Sequence, residues 1–152
     1  MKTLVAYYTQ SGTNQRIVNE LQDKLSCDVE KIIDTANRKE AWGFFISGMQ
    51  AALKRKTKIK SIEKDPSSYD IVIIICPIWA GVMPPPIRTY LSENKERIKK
   101  TAFLSVLDSG VGNRKAVPDF EFLTGKKAVA NLLLTDKEFK QENYREKLDD
   151  FV

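Results

Sequence analysis

The sequence predicts a doubly wound α/β domain, a five-stranded parallel sheet in the order 2-1-3-4-5 with helices on both faces. Three observations predict it. Short apolar runs rich in strand formers recur along the 152 residues, separated by amphipathic helical segments. That alternation implies parallel crossovers. One run, DIVIIIC at 70–76, is apolar almost without interruption, as expected of a strand covered on both faces. The joins after the first, third and fourth strands are the unusual stretches TQSGTN, PIWAGVMPPP and DSGVGN. Those joins lie at the sheet edge where such folds bind their ligands.

The elements come in order. TLVAYY (3–8) reads as the first strand, and QRIVNELQDKL sets Ile17, Val18, Leu21 and Leu25 on one helical stripe. DVEKII (28–33) reads as the second strand. EAWGFFISGMQAALKR then carries Trp42, Phe45, Met49, Ala52 and Leu53 at helical spacing. After the third strand, PPIRTYLSENKERI starts a helix on proline and points Ile87, Leu91 and Ile98 inward. AFLSVL (102–107) and AVANLLLT (128–135) are the last two strands. Between them, the glycine and proline content of 108–125 predicts a loop with at most a short helix. KEFKQENYREKLDDFV closes the chain as one helix with Tyr144, Leu148, Phe151 and Val152 on a single face. The whole of 1–152 is expected to be one domain.

Composition narrows the function. The hydrophobic fraction is 42% and the charged fraction 30%, ordinary for a globular protein. No apolar run approaches a membrane span or a signal peptide, so the chain is expected in the cytoplasm. Histidine is absent, which removes Ser-His-Asp and Cys-His pairs. The two cysteines, Cys27 and Cys76, form no C-x-x-C, so no metal site is expected. The net charge is +5, with lysines gathered at 54–60, 95–100 and 125–127. These runs lack interleaved aromatics and read as solvated helix ends and loops rather than a nucleic-acid surface.

Each of the three joins has a chemistry to offer. In Thr9, Gln10, Ser11, Gly12, Thr13 and Asn14, hydroxyls surround a glycine where a strand meets a helix. Free N–H groups at the helix start and convergent hydroxyls make a phosphate cradle; the same residues are also ordinary helix caps. From Thr9 onward no lysine or arginine occurs until Arg16, which suits a phosphate that is kept rather than transferred. In the second join, Pro77 ends the strand and Pro84 to Pro86 fix the next helix. They leave Pro77, Ile78, Trp79, Ala80 and Gly81 at the crevice. Trp79 is placed to stack on a planar ring, or to pack on a neighbouring helix. In the third join, Asp108, Ser109, Gly110 and Gly112 are placed to meet the polar edge of that ring, or to form a plain surface turn.

These stretches carry a resemblance. YYTQSGTN resembles the first strand and phosphate loop of the flavodoxin family, and CPIWAGVMPPPIRTYL is similar to its second flavin loop. The resemblance covers essentially the whole chain. It implies FMN, with the phosphate on Thr9 to Asn14 and the isoalloxazine between Trp79 and the DSGVGN loop. It also implies a peptide carbonyl at Ala80 or Gly81 to receive the flavin N5–H. Two departures stand out. Asn14 occupies a position where the family usually has Thr, and this chain is basic where well-known electron-carrier flavodoxins are acidic.

Two functions fit the resemblance. One is an electron carrier exchanging electrons with a redox partner protein, an acidic one given the net charge. The other is a small FMN-dependent NAD(P)H reductase acting on quinones or similar acceptors. Trp42, Phe44 and Phe45 would line its substrate site, or else pack in the core. The carrier is preferred, because few residues remain to build a nicotinamide pocket. No catalytic acid or base is nominated. A phosphate-accepting receiver of the same topology is set aside, since Tyr7, Tyr8 and Thr9 stand where it needs carboxylates. No membrane or nucleic-acid partner is expected, and the chain is expected to be a monomer or a homodimer.

Overall fold

The computed structural model describes residues 1–36, 49, 54–107 and 113–152. Five strands form one parallel sheet: β1 (Thr3–Tyr7), β2 (Asp28–Lys31), β3 (Ile71–Ile75), β4 (Thr101–Leu107) and β5 (Asn131–Thr135). Their spatial order is β2-β1-β3-β4-β5, as the alternating pattern predicts. Register is set through the centre of the sheet, where Val5 lies beside Val29 on one side and Ile73 on the other. The α-helices bounded within the described residues are α1 (Thr13–Leu25), α2 (Pro85–Asn94), α3 (Asn113–Thr124), α4 (Asp136–Lys140) and α5 (Arg145–Phe151).

The period of two along each strand divides the core into two layers. Leu4, Ala6, Val72, Ile74 and Phe103 face α2 and α3, meeting Ile87, Tyr90, Leu91, Ala116 and Phe120. Val5, Tyr7, Ile73, Ile75 and Leu104 face α1 and the C-terminal segment, meeting Ile17, Val18, Leu21, Tyr144 and Leu148. All residues of β1, β3 and β4 are buried. A strand buried on both faces has no polar side to alternate with, which explains the uninterrupted apolar run at 70–76.

Two helices differ from the sequence expectation. The segment after β4 forms a 12-residue helix, α3, despite Pro118 inside it. Proline removes one N–H from the helix ladder. Packing outweighs that loss: Phe120 is fully buried and stacks on Phe103 with ring centroids 4.8 Å apart. The closing helix is divided in two, because Glu142 adopts a left-handed φ of 59°. Its carboxylate binds Arg16 and Arg145, which holds the break. Tyr144 is thereby driven into the core with its hydroxyl on Glu20, while Val152 is left 48% exposed. Of residues 37–53 only Met49 is described, and it is 47% exposed rather than inward. Trp42, Phe44 and Phe45 lie outside the described residues.

Beyond β2 the chain makes an antiparallel bridge between Asp34 and Ile59. Glu30 is buried and receives the backbone N–H groups of Glu63 and Lys64, anchoring the returning segment. Cys27 and Cys76 are both free and buried. Among the described residues, no helix is long and apolar enough to cross a membrane.

The start of α4 is a capping box: Thr135 receives the N–H of Glu138, and the Glu138 carboxylate receives the Thr135 N–H. Lys147 binds the same carboxylate, and these donors hold Glu138 down at about 2. A carboxylate depressed in the folded state stabilises above its unfolded value and loses that contribution as pH falls through the folded one. Glu138→Gln is therefore expected to lower stability by about 0.5–1 kcal/mol at neutral pH. The difference between variant and parent should shrink as urea titrations are repeated from about pH 5 down towards pH 2, where the folded carboxylate begins to take up its proton.

Candidate functional site

The first loop leaves β1 at the carboxyl edge of the sheet. Tyr8 is buried, and its N–H donates to the Ile75 carbonyl at 2.9 Å, extending the β1–β3 pairing by one bond. The chain then turns into α1 through Gly12, whose φ of 89° is left-handed. A side chain there would meet no atom, so the backbone angle alone asks for glycine. Gly12 N–H donates to Thr9 Oγ1 at 3.0 Å, and the Ser11 and Thr13 hydroxyls lie 3.2 Å apart. No side chain caps α1, and its first turn holds no acidic residue. Its leading N–H groups are thus left for an external acceptor, and the helix dipole favours an anionic one. The nearest cation does not take part: Arg16 is engaged by Glu20 and Glu142.

Asn14 has a different place from that of a phosphate-capping hydroxyl. It is 3% exposed, and its amide Nδ2 donates to the Tyr8 carbonyl at 3.1 Å. It ties the end of β1 to the first turn of α1. Its own Oδ1 is buried with no hydrogen-bond partner among the described residues. A buried amide oxygen without a donor is costly, and a ligand hydroxyl in the loop would satisfy it. The orphaned acceptor and the uncapped helix both fit a phosphate ester with hydroxyls along its chain. Gln10, half-buried, completes the loop and lines a cavity of about 200 Å³ with Tyr8, Lys31 and Asp34.

The second loop is a tight hairpin. Trp79 N–H donates to the Val82 carbonyl at 3.1 Å, and Val82 N–H donates back to Trp79 at 3.0 Å. Ala80 and Gly81 between them have φ of 50° and 79°. Positive φ at both central positions is the signature of a type I′ turn. Ala80 in that conformation stores about 1 kcal/mol of strain, which the surrounding packing must hold. Among the described residues, neither the Ala80 nor the Gly81 carbonyl accepts a backbone hydrogen bond. Pro77, Ile78 and Trp79 are half-buried, Ala80 is exposed and Gly81 is buried. The Trp79 ring meets Tyr8 edge-on, with centroids 5.7 Å apart and planes at 80°. The first and second loops therefore touch through these two aromatics, although 71 positions separate them in the chain.

Sequence reasoning missed what holds the hairpin down. Arg88 on α2 and Asp119 on α3 are 3% and 5% exposed and form a buried ion pair, with Arg88 donating to Oδ1 at 2.6 Å. Met83, directly after the hairpin, is gripped by both. Its N–H donates to Asp119 Oδ2 at 2.9 Å, and its carbonyl receives Arg88 Nε at 3.2 Å. The pair thus joins the second loop to the helix after the third. A signal existed: Arg88 lies in the apolar run PPIRTYL and Asp119 in VPDFEF, and a charge within an apolar run needs a buried partner.

Beneath the hairpin, burial pushes the Cys76 thiol far up, and its Sγ packs 3.6 Å from the Met83 sulfur. Ser105 donates to the Cys76 carbonyl at 2.6 Å. Such a thiol is not a nucleophile. Asp108, Ser109, Gly110 and Gly112 lie outside the described residues.

Comparison with known proteins agrees with this geometry. A family model described as flavodoxin matches residues 2–142. No protein of curated function matches the chain in sequence. Among solved structures, a flavoprotein from Lactobacillus acidophilus NCFM in complex with FMN is 19% identical with a TM-score of 0.76, over 92% of this chain and 97% of that one. The apo-form of the flavoprotein from the same organism is 21% identical with a TM-score of 0.71, over 92% and 95%. A flavodoxin, WrbA-like protein from Agrobacterium tumefaciens is 10% identical with a TM-score of 0.56, over 99% of both chains. At these identities the likeness speaks for the fold.

The buried pair yields a clear expectation. Asp119→Ala strands the Arg88 guanidinium in the core and should cost about 3–5 kcal/mol in a urea titration. Replacing both, as Arg88→Met with Asp119→Leu, should recover only part of that loss, because the two charges leave together but the buried N–H and carbonyl of Met83 lose their partners.

Proposed function

The chain belongs to the flavodoxin family, and on that premise we propose that it binds one FMN without a metal and acts as an electron carrier. One observation supports this above the others. An uncapped helix start ringed by hydroxyls is joined to a rigid tryptophan hairpin through the Tyr8–Trp79 contact. A ligand with a phosphate at one end and a flat ring at the other spans both.

In this reading the backbone N–H groups of Ser11, Thr13 and Asn14 donate to the phosphate, with the hydroxyls of Thr9, Ser11 and Thr13 beside them, while the Gly12 N–H stays on Thr9 Oγ1. Asn14 Oδ1 accepts from a hydroxyl of the ligand chain. Trp79 gives the ring an aromatic wall, and the hairpin carbonyls of Ala80 and Gly81 are available to the ring's N–H groups. Asp108, Ser109, Gly110 and Gly112 are assigned to the ring's other polar edge. FMN supplies the one- and two-electron chemistry, and the chain binds, orients and shields it. No residue is assigned a proton-transfer role.

The carrier role rests on the short connection between the hairpin and α2. That helix begins at Pro85, three residues after Val82, with no lid inserted there to exclude water during a hydride transfer. A carrier needs none, since its partner covers the flavin. The net charge of +5 favours an acidic partner, whose association should weaken as salt screens the attraction.

Two measurements test the reading. Chromatography of the extracted pigment should give FMN, and Trp79→Ala should weaken FMN binding by about 1–3 kcal/mol while flavin fluorescence rises. FAD in the extract, or an apoprotein without affinity for FMN, contradicts it. Anaerobic mixing with NADH or NADPH should leave the flavin oxidised over the time of a stopped-flow trace. Rapid bleaching by the nicotinamide alone, with turnover on quinones, would instead mark a reductase.

A further inference from the structure

We infer that the groove between the tryptophan hairpin and α3 is the docking site for an acidic redox partner, which seats an apolar side chain on Phe122 and its carboxylates on Lys54, Arg114 and Lys115. This rests on the carrier reading and adds where the partner binds. The groove encloses about 650 Å³ and runs from the exposed hairpin tip at Ala80 along the outer stripe of α3. Arg114, Pro118 and Phe122 recur on that stripe every four residues, with Lys115 beside them.

The cations of the groove outnumber its carboxylates among the described residues. Among the described residues Asp119 is its one lining carboxylate, and it is buried and already paired with Arg88. Lys54 lies 3.5 Å from the same carboxylate and 5.9 Å from the centre of the Phe122 ring. Arg114 and Lys115 make no ion pair among the described residues. Lys54 thus shares Asp119 with Arg88, and Arg114 and Lys115 are left without a carboxylate among the described residues.

Phe122 is 78% exposed, the most exposed aromatic side chain among the described residues. It sits on the rim among these cations. An exposed aromatic within a charged ring has the composition of a protein interface, where an aromatic anchor carries affinity and the charges steer approach. The hairpin tip that forms one wall belongs to the loop assigned to the flavin ring. A partner seated here is therefore held beside the redox centre. Lys99 and Lys127 are also exposed but precede β4 and β5, at the opposite edge of the sheet. They share in the net charge without sharing in the groove.

That separation defines the experiment. FMN-loaded, oxidised protein is mixed in a stopped-flow instrument with a reduced acidic [2Fe–2S] carrier, and its reduced form with an oxidised basic c-type cytochrome, each across a range of salt. The reaction with the basic cytochrome should not slow as salt rises, and that with the acidic carrier should. Arg114→Glu with Lys115→Glu should slow that reaction about ten-fold and flatten its salt dependence, and the corresponding Gln pair should slow it about three-fold. Lys99→Glu with Lys127→Glu, of the same net charge, should stay within about two-fold of the parent. Phe122→Ala should slow the reaction about three- to ten-fold with the salt dependence intact. Equal slowing by the two charge-reversed pairs would show that net charge alone acts, and parent rates in the groove variants would remove the site; either overturns the groove and spares the carrier. A reaction with the acidic carrier that does not slow with salt, or one with the basic cytochrome that does, overturns the acidic partner. Failure of the parent to react with either protein overturns the carrier reading and the groove together.

Discussion

The buried ion pair of Arg88 and Asp119 is the constraint on which the candidate site depends. It is costly to build, because two charges leave water, and that cost is offset by the bonds each group makes to the other and to Met83. Asp119 accepts from Arg88 and from the Met83 N–H, and Arg88 also donates to the Met83 carbonyl. Met83 comes after a hairpin with two successive positive φ values, one of them at an alanine. Left to itself that turn would relax. With both polar groups of Met83 held by opposite charges from two helices, it cannot slide along the sheet edge. The same pair sets α3 against α2, so the hairpin and the helix after the third loop move as one piece.

The sheet provides the frame for that arrangement. Its central strands are apolar on both faces and bury side chains in two separate layers. Function is thereby confined to the carboxyl edge, where β1, β3 and β4 release their chains. Reversal of strand order around β1 opens a crevice there between the first and second loops. Tyr8 and Trp79 join the two loops by edge-to-face contact. The loop sequences differ in rigidity for a reason. The first must expose backbone N–H groups, so it relies on a glycine and hydroxyls. The second must present a ring at a fixed height, so it relies on prolines and a two-residue turn.

Some of this was legible in the sequence. The unbroken apolar run at 70–76, the helix stripe from Ile17 to Leu21 and the hydroxyl-rich loop at Thr9 to Asn14 each arise from local periodicity or side-chain type. Helix α3 was hidden, since Gly110, Gly112 and Pro118 are strong local breakers and only the stacking of Phe120 on Phe103 outweighs them. The division of the final helix was hidden too. It depends on Glu142 reaching Arg16, which lies 126 positions earlier. Asn14 read as a loop polar group, whereas it is a buried brace to the Tyr8 carbonyl.

The sequence by itself determined the strand order class, the edge on which the loops gather, and the residue types each loop offers. These are encoded in short-range patterns: a period of two or near four, a glycine where φ must be positive, a proline where a ladder must stop. Only the tertiary structure decided which distant groups meet. It brought Trp79 onto Tyr8, paired Arg88 with Asp119 around Met83, and placed Phe122 among Lys54, Arg114 and Lys115 beside the hairpin. The physical reason is that a charge or an aromatic ring gains little until it finds its partner. No local pattern specifies a partner supplied by another element, and it is chosen only when the elements pack.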